Sequence, residues 1–274
     1  MERLISSDAI PAFYHREDIV GALRSALDRS GRTMAGLHAE DFAGIDQFHL
    51  RGLAATLDLL QLAQARHGER MLDLGGGLGG SARVAASRAG CHVTVVDATP
   101  AFCEAGEEIT RWLRLEDRVH FLVGDATAPP VPDASFDVVW TQHASMNIPD
   151  KPALYHAAAR ALVPGGRFVL HDVMGDDGME GLHYPLPWAD SGELNALLHV
   201  DEQRQLIREA GFTERAWHDV TEQTLEWLVK RREPPLASPL GPNLLFGDAA
   251  SRMFDNVRRS IAERRIRVIQ AAFD

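Results

Sequence analysis

Two periods share most of the chain. Ile19, Val20, Leu23, Ala26 and Leu27 recur at helical spacing over 17–29, and Leu53, Leu57, Leu60 and Ala63 repeat that spacing over 51–65. After a polar gap at His67–Gly68 the pattern changes to short apolar runs, Met71–Leu74, Val93–Val96, Val119–Val123, Phe136–Trp140 and Arg167–Val173. Helical patterns occupy the intervals at 80–89, 101–114 and 152–163. Strand alternating with helix predicts an α/β fold, a doubly wound and mostly parallel sheet with helices on both faces. Crossovers in such a sheet are right-handed, and its ligand sits at the carboxyl ends of the strands.

The last third departs from simple alternation. Residues 202–210 read as a helix that buries Leu206 and Ile207 and stops at Gly211. Arg215–Val220 reads as a sixth strand. Residues 221–264 are helical and proline-rich, with Pro234, Pro235, Pro239 and Pro242. Ile266, Val268 and Ile269 mark a seventh strand within Arg265–Phe273, and the lack of a crossover helix after it predicts an antiparallel placement. Residues 175–199 hold Tyr184, Pro185, Pro187 and Trp188 without a period, which predicts an insertion at the rim where lids occur.

Composition narrows the class. The chain has 274 residues, 45% hydrophobic and 24% charged, as a globular domain with insertions or a small cap would. No apolar run approaches the ~20 residues of a membrane span. Met1 to His15 lacks a basic-then-apolar signal pattern, so a cytoplasmic protein is expected. Cys91 and Cys103 fit packing roles, not a redox motif. A net charge of −11 argues against a nucleic-acid partner, whose phosphates need a basic face. The 12 histidines are scattered without a ligand spacing, so no metal is expected. Oligomeric state is not legible.

The sharpest motif is Asp73-Leu74-Gly75-Gly76-Gly77-Leu78-Gly79-Gly80, which follows a strand and opens a helix. Glycines there permit a tight turn and a close approach of backbone to ligand. Gly75, Gly77 and Gly80 also satisfy the dinucleotide spacing, so the loop leaves a nicotinamide enzyme open. Three acids bear on the choice. Asp73 would repel a pyrophosphate but suit an ammonium group. Asp97, ending the second strand, suits ribose hydroxyls. Asp125, in Gly124-Asp125-Ala126 after the third strand, suits an adenine amino group. Acids at three successive strand ends describe a site for a nucleoside that carries a cation.

These motifs, with Ser135-Phe136-Asp137-Val138-Val139 and Pro164-Gly165-Gly166, resemble the class I S-adenosylmethionine (SAM)-dependent methyltransferases over residues 45–274. The resemblance implies a seven-stranded sheet with an antiparallel last strand, and SAM lying over Gly75, Gly77 and Gly79. It also implies ribose at Asp97 and Ala98, and adenine near Asp125 and Ala126. S-adenosylhomocysteine (SAH) would be the product. Asp46-Gln47-Phe48-His49, Trp140-Thr141-Gln142-His143 and Met146-Asn147-Ile148 resemble bacterial relatives of sarcosine/dimethylglycine N-methyltransferases, while the glycine loop is similar to that of sterol and tocopherol C-methyltransferases. Gly76 stands where many members carry cysteine. The domains then read as a helical N-terminal cap, 1–50, and a SAM-binding methyltransferase domain, 51–274, with a lid insertion at 175–199 and a helical insertion at 221–264.

Methyl transfer from a sulfonium is an in-line displacement that needs orientation, exclusion of water and often one base. His143, just after the fourth strand, fits a base, a group orienting the acceptor or, with Gln142, a contact to the cofactor. His49 is the second catalytic candidate. It and Gln47 fit acceptor binding or simple capping around Asp46. Tyr184 and Trp188 fit an acceptor pocket or plain lid packing; Arg51 fits an acceptor carboxylate or a solvated helix position. Tyr14 and His15 fit closure over the cofactor or a surface helix start. The expected activity is methylation of a small molecule, with nitrogen favoured over the carbon or oxygen of a specialised metabolite. A SAM-binding protein without methyl transfer, and a nicotinamide oxidoreductase, are the competing readings.

Overall fold

Short apolar runs that end in an acid or a glycine fold here as the strands of one sheet. The computed structural model describes residues 18–31, 36–230, 240–241 and 243–274, so Tyr14, His15 and the four prolines of 234–242 lie outside the described residues. The strands are β1 Arg70–Leu74, β2 His92–Asp97, β3 Val119–Val123, β4 Phe136–Gln142, β5 Leu162–Gly175, β6 Glu214–Asp219 and β7 Ile266–Phe273. Their order is β3-β2-β1-β4-β5-β7-β6. Pairs β3–β2, β2–β1, β1–β4 and β4–β5 are parallel, and β7 runs antiparallel to both β5 and β6. The antiparallel seventh strand expected from the sequence is therefore present. The largest shift is at β5, which begins at Leu162, not Arg167, because Leu162 pairs with Phe136 before the register shifts over the intervening glycines; β2, β4 and β6 differ from their expected bounds by one or two residues.

The helices are α1 Ile19–Ser30, α2 Ala43–Asp46, α3 Leu53–Leu62, α4 Gly80–Ala89, α5 Pro100–Trp112, α6 Lys151–Ala161, α7 Val200–Glu209, α8 Thr221–Lys230, α9 Asn243–Phe246 and α10 Ala250–Ala262. Their ends follow local chemistry. Gly90 closes α4 at φ 72, and Asp150 accepts from the Ala153 N–H to cap α6.

Alternation along each strand sorts the core into two layers. Leu72, Leu74 and Val139 pack with Leu154, Ala158 and Ile207 of α6 and α7. Met71, Val138 and Trp140 pack on the opposite face with Leu59, Ala82 and Ala85 of α3 and α4. Strands covered on both faces read as nearly continuous apolar runs, which is why they are visible in the sequence. β1 sits between β2 and β4, so successive crossovers leave it in opposite directions. The crevice beyond its carboxyl end is the topological switch point.

The N-terminal segment joins this frame through its own cluster. Ile19, Leu23, Ala26 and Leu27 of α1, with Phe42 and Ile45, pack against Leu78 of the glycine loop and Phe102, Ala105 and Ile109 of α5. A buried ion pair fixes the end of the segment: Arg83 of α4 donates to Asp46 at 2.8 Å, both side chains being essentially without solvent exposure. Arg83 also donates to the Gly106 carbonyl and the Thr110 hydroxyl of α5, at 3.2 and 3.1 Å. The insertion at 175–199 contributes Leu186, Trp188, Ala189 and Leu197 to a cluster shared with Leu50, Met146 and residues of α8, α10 and β7.

Removing one member of a buried ion pair leaves the other charged and alone. Arg83→Met is expected to destabilise the fold by about 3–5 kcal/mol. Replacing both partners with apolar residues, Arg83→Met with Asp46→Leu, should cost much less. Urea unfolding of the three proteins checks this, and equal losses in the single and double variants would show that the pair itself is not the fastening.

Candidate active site

The turn between β1 and α4 is held by three left-handed glycines, Gly75, Gly77 and Gly79, at φ 75, 55 and 73. Such values are strained for residues with a Cβ. Four loop glycines also have a neighbour where a side chain would begin: Ala144 at Gly75, Asp73 and Val95 at Gly76, Phe121 at Gly79 and the Asp46 backbone at Gly80. Gly77 differs, since a Cβ there would meet nothing closer than Phe48 at 3.8 Å and Phe102 at 3.9 Å. Gly77 is itself buried but has room for a Cβ, while the partly exposed backbone of the loop is at Gly75 and Gly76.

Asp97 braces this turn, its carboxylate accepting from the Gly77 N–H at 2.8 Å and from the Thr99 N–H at 2.9 Å. Burial raises its pKa. Asp73 is buried behind the loop, its Oδ2 lying 2.6 Å from where a Gly76 Cβ would be. Burial, with the neighbouring Asp97 charge, pushes its pKa up to about 7. Asp125 is exposed, and one of its carboxylate oxygens caps its own turn by accepting from the Thr127 N–H and hydroxyl at 2.8 Å. Ala98 is exposed and Ala126 buried.

Three histidines gather at the ends of β4 and β5. His143 and His171 stack at 4.8 Å with rings 14° apart, and His49 stands 5.9 and 5.8 Å from them. His143, at φ 48, donates its backbone N–H to the His171 carbonyl at 2.9 Å. His171 Nε2 lies 3.0 Å from the Leu50 carbonyl and His49 Nε2 3.1 Å from that of Gly52, so both rings carry hydrogen on Nε2. Thr56 of α3 links the group: its hydroxyl is 2.6 Å from Gln47 Oε1, 3.0 Å from His49 Nε2 and 3.4 Å from Gln142 Oε1. Burial lowers all three pKa values, His49 to about 4, so the imidazoles are neutral at pH 7. His143 Nε2, His171 Nδ1 and Gln142 Nε2 are buried without a hydrogen-bond partner among the described residues. Buried polar atoms are normally satisfied, and such exceptions point to water or ligand.

Residues 72–170 match the methyltransferase domain family. The chain is 34% identical over 171 residues to 27-O-demethylrifamycin SV methyltransferase of Amycolatopsis mediterranei, covering 61% of this chain and 62% of that one. It is 35% identical over 158 residues to the sarcosine/dimethylglycine N-methyltransferase of Halorhodospira halochloris, covering 56% and 54%. The matched segment thus spans under two thirds of either relative. Among solved structures, geranyl diphosphate C-methyltransferase from Streptomyces coelicolor superposes with a TM-score of 0.71 at 19% identity, over 100% of this chain and 99% of that one. The match assigns residues 72–170 to a methyltransferase domain, and the superposition shows the same fold.

The sequence candidates fall into distinct places. Gly75, Gly77, Gly79, Asp97 and His143 converge on the β1–β4 crevice, Gly75 meeting Ala144 beside His143. Gln47, His49 and Gln142 join His143 in one polar cluster around Thr56. Trp188 is buried, and its indole N–H donates to Asn195 at 3.0 Å. Tyr184 is half-buried beside it. Arg51, at φ 67, pairs with Asp58 at 2.6 Å.

Several participants escaped the sequence reading. His171 and Thr56 each break an otherwise apolar run, and that break is the available signal. Lys151 is buried at the start of α6, donating to the carbonyls of Ser145, Ile148 and Ala196 at 2.7, 3.0 and 2.6 Å. It binds the loop after His143 to the 175–199 insertion. Asp176, Asp177 and His199 bring three metal-type ligand atoms within 4.8 Å, although Asp176 is committed to Arg267 at 2.9 Å.

A histidine held below its ordinary pKa stabilises the fold fully above pH 6.5, and that contribution is lost as pH falls towards its folded pKa. For His49, with a folded value of about 4, the loss at pH 5 is about 2 kcal/mol. Urea unfolding at pH 7 and pH 5 should therefore show a smaller acid penalty in His49→Gln than in the unsubstituted chain. An identical penalty in both would mean that His49 is not held neutral by burial.

Proposed function

We propose that the chain binds SAM across Gly75, Gly77 and Gly79 and transfers its methyl group to a small-molecule acceptor, releasing SAH. The observation that carries this reading is the glycine turn after β1, braced by the Asp97 carboxylate at Gly77 and meeting Ala144, beside His143, at Gly75. Bound SAM supplies an electrophilic methyl on a positively charged sulfur. Asp97 takes the ribose hydroxyls while keeping the turn in place. Ala98, Asp125 and Ala126 form the adenine end. Asp73, behind the loop, acts through its field, which favours a cation in front.

His143 is the candidate base: a neutral imidazole with an unpartnered nitrogen accepts the acceptor's proton without first losing its own. His49 and Gln47 orient the acceptor from the cap, with Gln142 between them and the cofactor. The N-terminal cap, 1–50, and the insertion at 175–199, with Tyr184 and Trp188, enclose the acceptor and exclude water. Nitrogen is the favoured acceptor atom, in keeping with the likeness of the Gln47–His49 and Gln142–His143 segments to N-methyltransferases. Oxygen and carbon are the alternatives, as the names of the other relatives illustrate.

Two experiments test this. Asp97→Ala is expected to weaken SAM binding tenfold to a hundredfold, the worth of roughly 1.5–3 kcal/mol for hydrogen bonds to a charged group. Calorimetry measures it, and unchanged affinity in a folded variant removes Asp97 from the site. The second incubates methyl-labelled SAM with a panel of amines, hydroxylated compounds and carbon nucleophiles, following label and SAH together. His143→Gln should slow turnover by a factor on the order of 10² or more with SAM affinity retained. A chain that binds SAM but labels no acceptor would favour a SAM-binding role without transfer.

A further inference from the structure

A Cβ at Gly77 would lie 3.8 Å from Phe48 and 3.9 Å from the buried Phe102, and Phe48 in turn packs on Phe246. Phe48 lies two residues beyond Asp46, at the end of the N-terminal segment, with its Cζ nearest to the Gly77 position. Phe246 comes from α9, in the insertion between β6 and β7. The two rings meet edge to face, centroids 5.8 Å apart and planes at 78°. Both side chains are half-buried, unlike the fully packed Phe42 of the same segment. The path of each is fixed from elsewhere. Arg83 holds Asp46, and Leu240 of the insertion packs in the cluster of α1 and α5, its carbonyl meeting Gly44 where a side chain would begin.

The charge around Gly77 is one-sided. Asp97 accepts from its N–H, and Asp73 lies behind the preceding glycine. SAM carries its positive sulfur between the ribose and the amino-acid arm. A ligand with its ribose at Asp97 and its arm passing Gly77 brings that sulfur between the carboxylates and the phenyl rings. The face of an aromatic ring attracts a cation, more strongly when water is excluded.

We infer that Phe48 and Phe246 form an aromatic cover over Gly77 that contacts the sulfonium of bound SAM and lets the site distinguish SAM from SAH, whose sulfur is neutral. The inference rests on the methyltransferase reading and adds to it two residues that no strand-end motif contains. It makes the N-terminal segment and the β6–β7 insertion part of the cofactor site.

Calorimetric titration of the full chain with SAM and with SAH tests it. Phe48→Leu and Phe246→Leu keep apolar bulk but remove the ring, whereas Phe48→Tyr keeps the ring. Each leucine variant should weaken SAM roughly twofold to thirtyfold more than SAH, and Phe48→Tyr should keep the SAM-to-SAH ratio of the unsubstituted protein. Equal weakening of both ligands would assign the rings to packing and overturn the inference, as would unchanged binding. Failure of the unsubstituted protein to bind either ligand would overturn the methyltransferase reading as well. Thermal unfolding shows which variants fold; Phe246, at the edge of the site, provides the comparison should Phe48→Leu not do so.

Discussion

The pair formed by Arg83 and Asp46 sets the course of the chain on the cofactor side of the sheet. Both charges are out of water, so neither is tolerable alone, and the contact has little freedom to slide. Arg83 is itself fixed by Gly106 and Thr110 of α5, which makes α4, α5 and the N-terminal segment one unit. From Asp46 the next residues have only a few ångströms of latitude. Phe48 reaches Gly77, His49 reaches Thr56, and the Leu50 carbonyl reaches His171. The backbone then turns at Arg51 and Gly52, both with positive φ, into α3. A buried ion pair adds little net stability but is expensive to half-remove, which suits a fastening that fixes position.

The sheet was legible because its strands are buried on both faces. Met71–Leu74 and Phe136–Trp140 are apolar nearly throughout, and glycines or acids stop them at the rim. The N-terminal attachment was not legible, because Arg83 sits in a helix of small residues and looks like any solvated arginine. Only the fold reveals that Gly79 and Gly80 admit Phe121 and Asp46 beside it. His171 escaped for a related reason: it follows Phe168-Val169-Leu170, and its partners are a backbone carbonyl 121 residues away and two other rings. Phe246 lies in a stretch whose prolines hide any period. The glycine loop and Asp97 were legible since their constraint is local, a tight turn followed by a helix and an acid at a strand end.

Electrostatics divides the crevice in two. On the loop side, burial raises the pKa values of Asp73 and Asp97, so their negative charge is held at a cost that an adjacent cation reduces. On the other side, burial keeps His49, His143 and His171 neutral, and neighbouring rings add to this at His143 and His171. Three positive rings within 6 Å would repel one another and any cation bound nearby. Neutral rings lower that barrier and leave nitrogen lone pairs facing inward. The chain's net charge of −11 acts in the same sense, favouring approach of a cation over an anion.

The two halves are mechanically joined. Ala144 fills the space before Gly75, so the turn after β4 and the glycine loop cannot move independently. Lys151 holds the continuation of that turn, with three carbonyls around one ammonium, and one of those carbonyls belongs to the 175–199 insertion. The Ala196 N–H donates to the Met146 carbonyl at 2.9 Å and doubles the link. The insertion is therefore tied to the turn that follows His143, and that turn to the loop. On the opposite side the N-terminal segment reaches the same loop through Asp46 and Phe48. The loop glycines thus meet the turn after β4, strands β2 and β3, and the N-terminal segment. That arrangement explains why five glycines occur within six residues: four have a close neighbour where a side chain would begin, and Gly77 has a positive φ.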